Sequence, residues 1–491
     1  MVTLKDILRG LEYCSEKNVD NVSVNGITSD SKMVRKGSAF VAVRGHSLDG
    51  HNFIKDAVKR GARVVISEKD FPSYGKIVKI IMPNTGLALP YIAANFYGRP
   101  SSGMTMIGIT GTNGKTTITY LLENILRAAG REPGVIGTIN YRFKGKIFNA
   151  KNTTPGPIEL QSLLSKMADS GVDSVAMEVS SHSLDQGRVN GLIFDYAIFT
   201  NVTRDHLDYH KTLQRYLKAK AKLLPMVKKN GVVILNIDDP KVRRLKRIAP
   251  SRVITYGITK DADITAKGLG ISQDGSKFTI VTPGYSFDVK SPLIGIHNVS
   301  NILAAAAVGF SENISRRNIK RGIESFSTVP GRLELVDAGQ PFKVFVDFAH
   351  TEDALINVLS SIRKIAKRNI VTVFGCGGNR DKTKRPLMGR AACRLSDKVF
   401  ITSDNPRFER AEDIINDIEE GIRGKFSNYT VVPDRRLAIE RAVSIARKDD
   451  IVLIAGKGHE AYQIIKDKIL AFDDREVAGA ILKKHSIRRA R

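Results

Sequence analysis

The chain of 491 residues contains no tryptophan and only three cysteines, Cys14, Cys376 and Cys393. Scattered and without a CxxC spacing, these cysteines exclude a disulfide framework and a zinc ribbon and point to a reducing compartment. No apolar run approaches the roughly 20 residues that cross a bilayer. The first ten residues also lack the apolar core of a signal peptide, so a cytoplasmic protein without membrane insertion is expected. Acidic residues are scarce relative to basic ones, 50 against 77, for a net charge of +27. That excess invites a nucleic-acid reading. The cations are spread along the chain, with local clusters only at Lys241–Lys246 and Lys483–Arg491. A generally basic surface, or attraction of polyanionic small molecules, explains them equally, and no nucleic-acid partner is expected. Internal repeats and low-complexity segments are also missing. What remains, 42% hydrophobic and 26% charged residues, is the balance of a globular enzyme. A chain of this length calls for about three domains.

The most informative stretch is Met106-Ile-Gly-Ile-Thr-Gly-Thr-Asn-Gly-Lys-Thr-Thr117. It reads as a buried strand, a phosphate-binding turn and the start of a helix. Gly111 and Gly114 remove the Cβ atoms that would keep backbone N–H groups from an anion. With Thr112 and Asn113 they form the cradle; Lys115 supplies a charge for the outer phosphates, Thr116 a hydroxyl for Mg²⁺, and Thr117 continues the helix whose positive end faces the ligand. The two glycines stand closer than in the usual phosphate-loop pattern.

The spacing of apolar and polar residues predicts an α/β protein of three domains. Residues 1–102 form a small α/β unit with a helix at Leu4–Cys14 and strands at Val22–Ser29, Ser38–Val43 and Arg63–Ile66. Its loops at Ser29 to Ser31 and Arg44 to Gly50 are either plain turns or a polar ligand site. Tyr97–Gly103 has the composition of a linker. Residues 103–330 alternate strands and helices, as a mostly parallel sheet requires. Two of the strands run into Glu178 and towards His206, and in such sheets the carboxyl ends face the ligand crevice. His206 is either a ligand there or a loop cap, and Asn298 either contacts a base or caps a helix. Residues 331–491 repeat the βαβ pattern as a Rossmann-like unit, with strands ending at Asp347-Phe-Ala-His350, Gly375 to Lys382, Ser403 to Glu409 and Gly456 to Glu460.

Nine segments in order resemble the Mur ligases, over essentially the whole chain: Gly111–Thr117, Asn152-Thr-Thr-Pro155, Glu178-Val-Ser-Ser-His182, Asp205-His-Leu-Asp208, Tyr216-Leu-Lys-Ala-Lys220, Pro330-Gly-Arg-Leu-Glu334, Asp347–His350, Asp404-Asn-Pro-Arg407 and Gly456-Lys-Gly-His-Glu460. The resemblance implies an ATP- and Mg²⁺-dependent, ADP-forming amide ligase of peptidoglycan precursor synthesis, acting as a monomer. It would add meso-2,6-diaminopimelate to UDP-N-acetylmuramoyl-L-alanyl-D-glutamate through an acyl phosphate. Lys115, Glu178, His206 and Lys220 would be catalytic. Thr116, Glu178, His206 and Lys220 would serve the metal, Lys220 as a carbamylated lysine on what reads as an exposed helix. Asn152, Asn298, Arg332 and His350 would join Gly111–Thr117 around ATP; Phe348 stands where the family has Tyr, so its hydroxyl is missing. The UDP-linked substrate would meet Ser29, Ser31, His46, Ser47, Leu48, Thr153, Thr154, Ser180, Gln186 and Arg188. Diaminopimelate would meet Arg380, Asp404, Asn405, Pro406, Arg407, Gly456 and Glu460. Diaminopimelate has a second carboxylate that lysine lacks, and Arg407 suits it as a bidentate partner, unless Arg407 only pairs with Glu409. The same reaction with L-lysine, or a folylpolyglutamate synthetase-like ligase, is the alternative. The latter family lacks the first domain and follows its lysine with Gly-Ser, where this chain has Thr116-Thr117.

Overall fold

The computed structural model describes residues 1–45, 48–72 and 74–489, with side chains as far as 484. His46 and Ser47, expected at the UDP-linked substrate, lie outside the described residues. Among the described residues, three α/β sheets carry the fold. In the first domain four short parallel strands lie in the order Ile27–Thr28, Ala39–Val41, Val64–Ser67, Val78–Ile81. The expected helix at Leu4–Cys14 spans only Leu4–Ile7. Conversely, the strand Val78–Ile81 and the helix Thr85–Phe96, with Pro90 inside it, were not legible from periodicity. That helix is apolar nearly all round because it is covered on several sides, burying Leu89, Ile92 and Ala93 against Leu4, Ile7 and Val78.

The central sheet has its parallel heart in the order Pro133–Ile136, Ser174–Glu178, Thr105–Thr110, Phe194–Phe199, Val227–Asn236, Arg252–Gly257. The phosphate-loop strand is therefore buried between two neighbours, which explains its unbroken apolar run. Strict alternation of strand and helix does not hold at the margins. An antiparallel hairpin, Asn140–Phe143 with Lys146–Asn149, extends one edge; at the other Ile264–Ser272 joins Arg252–Gly257 in parallel and Gly275–Val281 and Ser286–Ser291 follow it antiparallel. Their faces are half exposed, so their short alternating patterns resemble loops in sequence. The helices Lys115–Ala128 and Ile296–Ser311 cover one face of this sheet through Ile118, Leu122, Leu303 and Val308, and Pro157–Asp169 covers the other through Leu160 and Leu164.

The third domain pairs Lys343–Asp347, Ile451–Ala455, Ile370–Phe374, Lys398–Ile401 and Tyr429–Val431 in parallel, with helices on both faces. Asp347, Phe374, Ile401 and Ala455 thus end at one edge, and the loops that follow them share it. Among the described residues no helix is long and apolar enough to cross a membrane.

Candidate active site

The strand Thr105–Thr110 delivers the chain into the turn at Gly111–Gly114, and the helix Lys115–Ala128 begins at once. Gly111 (φ +150°) and Gly114 (φ +91°) occupy backbone conformations that side chains rarely adopt. A Cβ on Gly111 would lie 1.8 Å from Thr200 Oγ1, and one on Gly114 2.4 Å from Asn301 Oδ1. The turn is pinned by the neighbouring strand's loop: the Thr200 hydroxyl donates to Asn113 O at 2.6 Å, and Asn113 N to Asn201 Oδ1 at 2.9 Å. Lys115 Nζ donates to Gly111 O and Thr112 O, both at 2.9 Å. Burial lowers its pKa, with Glu178 and Asp205 opposing.

Glu178 ends the adjacent strand and is buried. Thr138 donates to both of its oxygens, N to Oε1 and Oγ1 to Oε2, each at 2.9 Å. Each oxygen keeps a further lone pair. Lys220 is not on an exposed face. Its helix, Leu213–Ala221, packs inward through Tyr216, Ala219 and Lys220, leaving the lysine 1% exposed. Its Nζ lies 4.3 Å from the Tyr216 ring centre and donates to Gly111 O at 2.8 Å. Burial, then repulsion from Lys115, lowers its pKa well below the usual lysine range. His206 adopts a left-handed conformation (φ 53°) and makes no side-chain cap for the helix it precedes. It stands edge-on to His182 at 4.7 Å, with Nε2 3.4 Å from Asp205 Oδ2. Removal from water lowers the His206 pKa. Burial works to raise that of Asp205, but His206, His350, Lys384 and Lys115 together hold it at about 2.

Across from these groups stands the loop-bearing edge of the third domain. Lys115, Thr116, Glu178, His206, Lys220, Arg332 and His350 share one cavity of about 330 Å³ with Arg380, Asp404, Asn405, Arg407, Gly456 and Glu460. Asn405 Nδ2 donates to Glu460 Oε2 at 2.8 Å, and Asn405 Oδ1 accepts from Ile464 N at 2.9 Å. Burial, then Asp404, raises the Glu460 pKa. Arg407 Nη1 donates to Gly378 O at 2.9 Å. It does not pair with Glu409, whose carboxylate is taken by Arg385 and Lys382. Pro406 lies behind the cavity wall, its carbonyl against Gly378.

A second cavity, of about 270 Å³, opens from the same turn. Asn113, Gly114, Thr116, Thr117, Asn298, Arg332 and His350 line it, with Asp238, Thr259 and His297. Asn298 is no cap, because it sits inside the helix Ile296–Ser311, and its Nδ2 donates back to Ile294 O at 2.9 Å. Arg332 Nη2 donates to Thr116 Oγ1 at 3.3 Å, while its buried Nε has no partner. His350 Nδ1 lies 2.9 Å from Phe348 O, and burial brings its pKa down to about 4, leaving the ring neutral at pH 7.

Other expected residues fall outside both linings. Ser29 is exposed and Leu48 is 68% exposed, and neither they nor Ser31 line either of these two cavities. Asn152 is exposed, and its carbonyl accepts the Tyr141 hydroxyl at 2.6 Å. Thr153 and Ser180 line the first cavity. Behind them Thr154 Oγ1 donates to Glu178 O at 2.8 Å, Arg188 Nη1 to Thr154 O at 3.4 Å, and Arg188 Nε to Gln186 Oε1 at 2.8 Å. Thr138 and Lys384 in the first cavity and Asp238, Thr259 and His297 in the second are further lining residues that the motifs do not name. Thr138 follows the apolar strand Pro133–Ile136, and that position at a strand's carboxyl end is its sequence signal. Lys457, within the segment Gly456–Glu460, is fully buried with its Nζ 3.4 Å from Asn405 Oδ1, and its local sequence does not announce that burial.

Among the described residues no three His, Cys, Asp or Glu side chains converge as a metal cage. The donors present suit Mg²⁺, which binds through one or two carboxylates and substrate phosphates instead of an all-protein cage. Glu178, with a free lone pair on each oxygen, and Thr116 beside the phosphate turn supply that set.

The chain matches known proteins along nearly its whole length. Residues 23–97 match the description Mur ligase family, catalytic domain; residues 109–309 the Mur ligase middle domain; and residues 331–458 the Mur ligase glutamate ligase domain. A UDP-N-acetylmuramoyl-L-alanyl-D-glutamate–2,6-diaminopimelate ligase of Solibacter usitatus is 47% identical over 462 residues, 94% of each chain. Its namesake in Geobacillus thermodenitrificans is 42% identical over 470 residues, 94% of this chain and 96% of that one. A solved structure of a ligase of the same name superimposes with a TM-score of 0.71 at 31% identity, covering 99% of both chains. A phosphate turn that shares one cavity with the loops of a second α/β domain, with relatives this similar over this much of the chain, places it in one family: the chain belongs to the Mur ligases.

Proposed function

We propose that the chain is an ATP-dependent amide ligase that joins meso-2,6-diaminopimelate to the D-glutamate of UDP-N-acetylmuramoyl-L-alanyl-D-glutamate, forming ADP and phosphate. Residues 103–330 would hold ATP, residues 331–491 the amino acid and residues 1–102 the uridine nucleotide, with Arg188 and its neighbours guiding the peptide. The observation that carries this reading is the single cavity in which Lys115, Glu178 and Lys220 face Arg407, Asn405 and Glu460.

A carboxylate is a poor electrophile, so its oxygen first takes the γ-phosphoryl group of ATP and ADP departs. The amine of the amino acid then attacks the acyl carbon and phosphate leaves. The protein's work is positioning and neutralising charge. Lys115 and the turn's N–H groups hold the transferring phosphoryl group. When bound, Mg²⁺ neutralises phosphate charge; Glu178, Thr116, His206 and a carbamylated Lys220 are the residues that would hold it. Burial favours the unprotonated amine of Lys220, and an unprotonated amine is the form that reacts with CO₂. Arg407, free of any acidic partner among the described residues, suits the distal carboxylate of diaminopimelate. Glu460, tethered by Asn405, suits the ammonium beside it. Phosphate release by purified protein should require ATP, the UDP-linked dipeptide and meso-diaminopimelate. Equal release with L-lysine would refute the assignment of the amino acid.

A further inference from the structure

Arg380 and Arg407, the two guanidiniums at the amino-acid end of the cavity, sit on different loops and pair with no acid among the described residues. Each donates to a main-chain carbonyl: Arg380 Nη1 to Asn379 O at 3.3 Å, and Arg407 Nη1 to Gly378 O at 2.9 Å. Outside the cavity lining, one carboxylate ties the two loops together. Glu409 Oε1 accepts from Asn379 N, the residue before Arg380, and from Arg385 Nη2 at 2.9 Å. Its Oε2 accepts from Arg385 Nη1 at 2.9 Å and lies 3.3 Å from Lys382 Nζ.

Arg385 is wholly buried, and it also bonds Asp417 Oδ2 at 2.7 Å and Gly377 O at 3.2 Å. The Arg385 bond above all keeps the Glu409 pKa at about 2, so the clamp stays ionised at working pH. The loops also touch directly: a Cβ on Gly378 would meet Pro406 O at 1.9 Å. Glu409 therefore stands two residues from Arg407 and is bonded to the residue beside Arg380.

We propose that Glu409, through Asn379 and Arg385, sets the separation of the Arg380 and Arg407 guanidiniums and so selects an amino acid bearing a second carboxylate over one without it. Glu409 is a positioning residue, since it touches no substrate itself. The inference rests on the amino-acid reading above. Two bidentate forks can serve two carboxylates of one small molecule only at matching spacing, and a displacement of about 1 Å loses much of that advantage.

The test is steady-state kinetics of Glu409→Ala and Glu409→Gln with each substrate varied in turn, using meso-diaminopimelate or L-lysine as acceptor. For Glu409→Ala the KM for diaminopimelate should rise about tenfold or more, while kcat and the KM for ATP stay within roughly twofold. The ratio of kcat/KM for diaminopimelate over lysine should fall. Glu409→Gln keeps an acceptor for Asn379 N but loses the charge, so it should fall between Glu409→Ala and wild type. It also carries the test if Glu409→Ala does not fold. An unchanged diaminopimelate KM in a folded variant, or an equal loss towards all three substrates, overturns the role of Glu409 alone. A wild-type enzyme inactive with diaminopimelate overturns the substrate reading and this inference with it.

Discussion

A lysine amine buried beside a phosphate-binding turn, as Lys220 is, gives up its proton more readily than one in water, because burial penalises the ammonium. On the proposed reading such an amine takes up CO₂, which would convert a cation into an anion in the cavity that Glu178 and Thr116 also line. An arginine at the same position keeps positive charge and cannot make that conversion. Lys220→Arg and Lys220→Ala should therefore each lower kcat by about a hundredfold or more, in line with the loss of one preorganised charge at a reacting phosphoryl group. Added bicarbonate should raise wild-type activity in CO₂-depleted buffer and leave both variants unmoved. An active Lys220→Arg enzyme would count against a modified lysine. Neighbouring side chains were more legible: Lys115 and Thr116 declare themselves by their place after Gly114. Arg407 is not legible in this way, because Glu409 two residues on is an equally plausible partner in sequence and is in fact paired with Arg385 and Lys382.

The phosphate turn is an element whose shape depends on two missing Cβ atoms. At Gly111 the added atom would collide with Thr200 Oγ1, which cannot withdraw without breaking its bond to Asn113 O. At Gly114 it would press less closely, at 2.4 Å, on Asn301 Oδ1, the end of a side-chain amide held by its bond to Asn298. Gly111→Ala should abolish ADP binding in calorimetry, and Gly114→Ala should weaken it less. The reverse order would mean that the turn is not held as described. The parallel strands with their loaded ends were readable because strands buried on both faces are continuously apolar and chemistry gathers where they stop. The antiparallel margins at 140–149 and 264–291 were not, since a half-exposed strand shows only a short alternation.

On the scale of the molecule, the third domain already touches the phosphate turn. Asp353 Oδ2 accepts from Asn113 Nδ2 at 2.8 Å and from Thr203 Oγ1 at 3.1 Å, and Arg332 reaches Thr116. These contacts span the junction near Pro330, where domain closure on ATP and amino acid would hinge. Asp353→Ala should leave nucleotide binding by the central domain largely intact, raise the radius of gyration in solution scattering and slow turnover. An unaltered scattering curve together with unaltered turnover would show that Asp353 does not hold the domains together. The sequence by itself determined the three-domain α/β organisation, the phosphate turn and the family, because these depend on local patterns of apolarity, glycine and motif order. Only the tertiary structure decided that Lys220 is buried, that Arg407 is left free of Glu409 and that the two halves of the site share one cavity. Those facts depend on which segments face each other across separations from 24 residues, for Arg385 and Glu409, to 109, for Lys220 and Gly111, and more, and burial and pairing at that range leave no trace in local spacing.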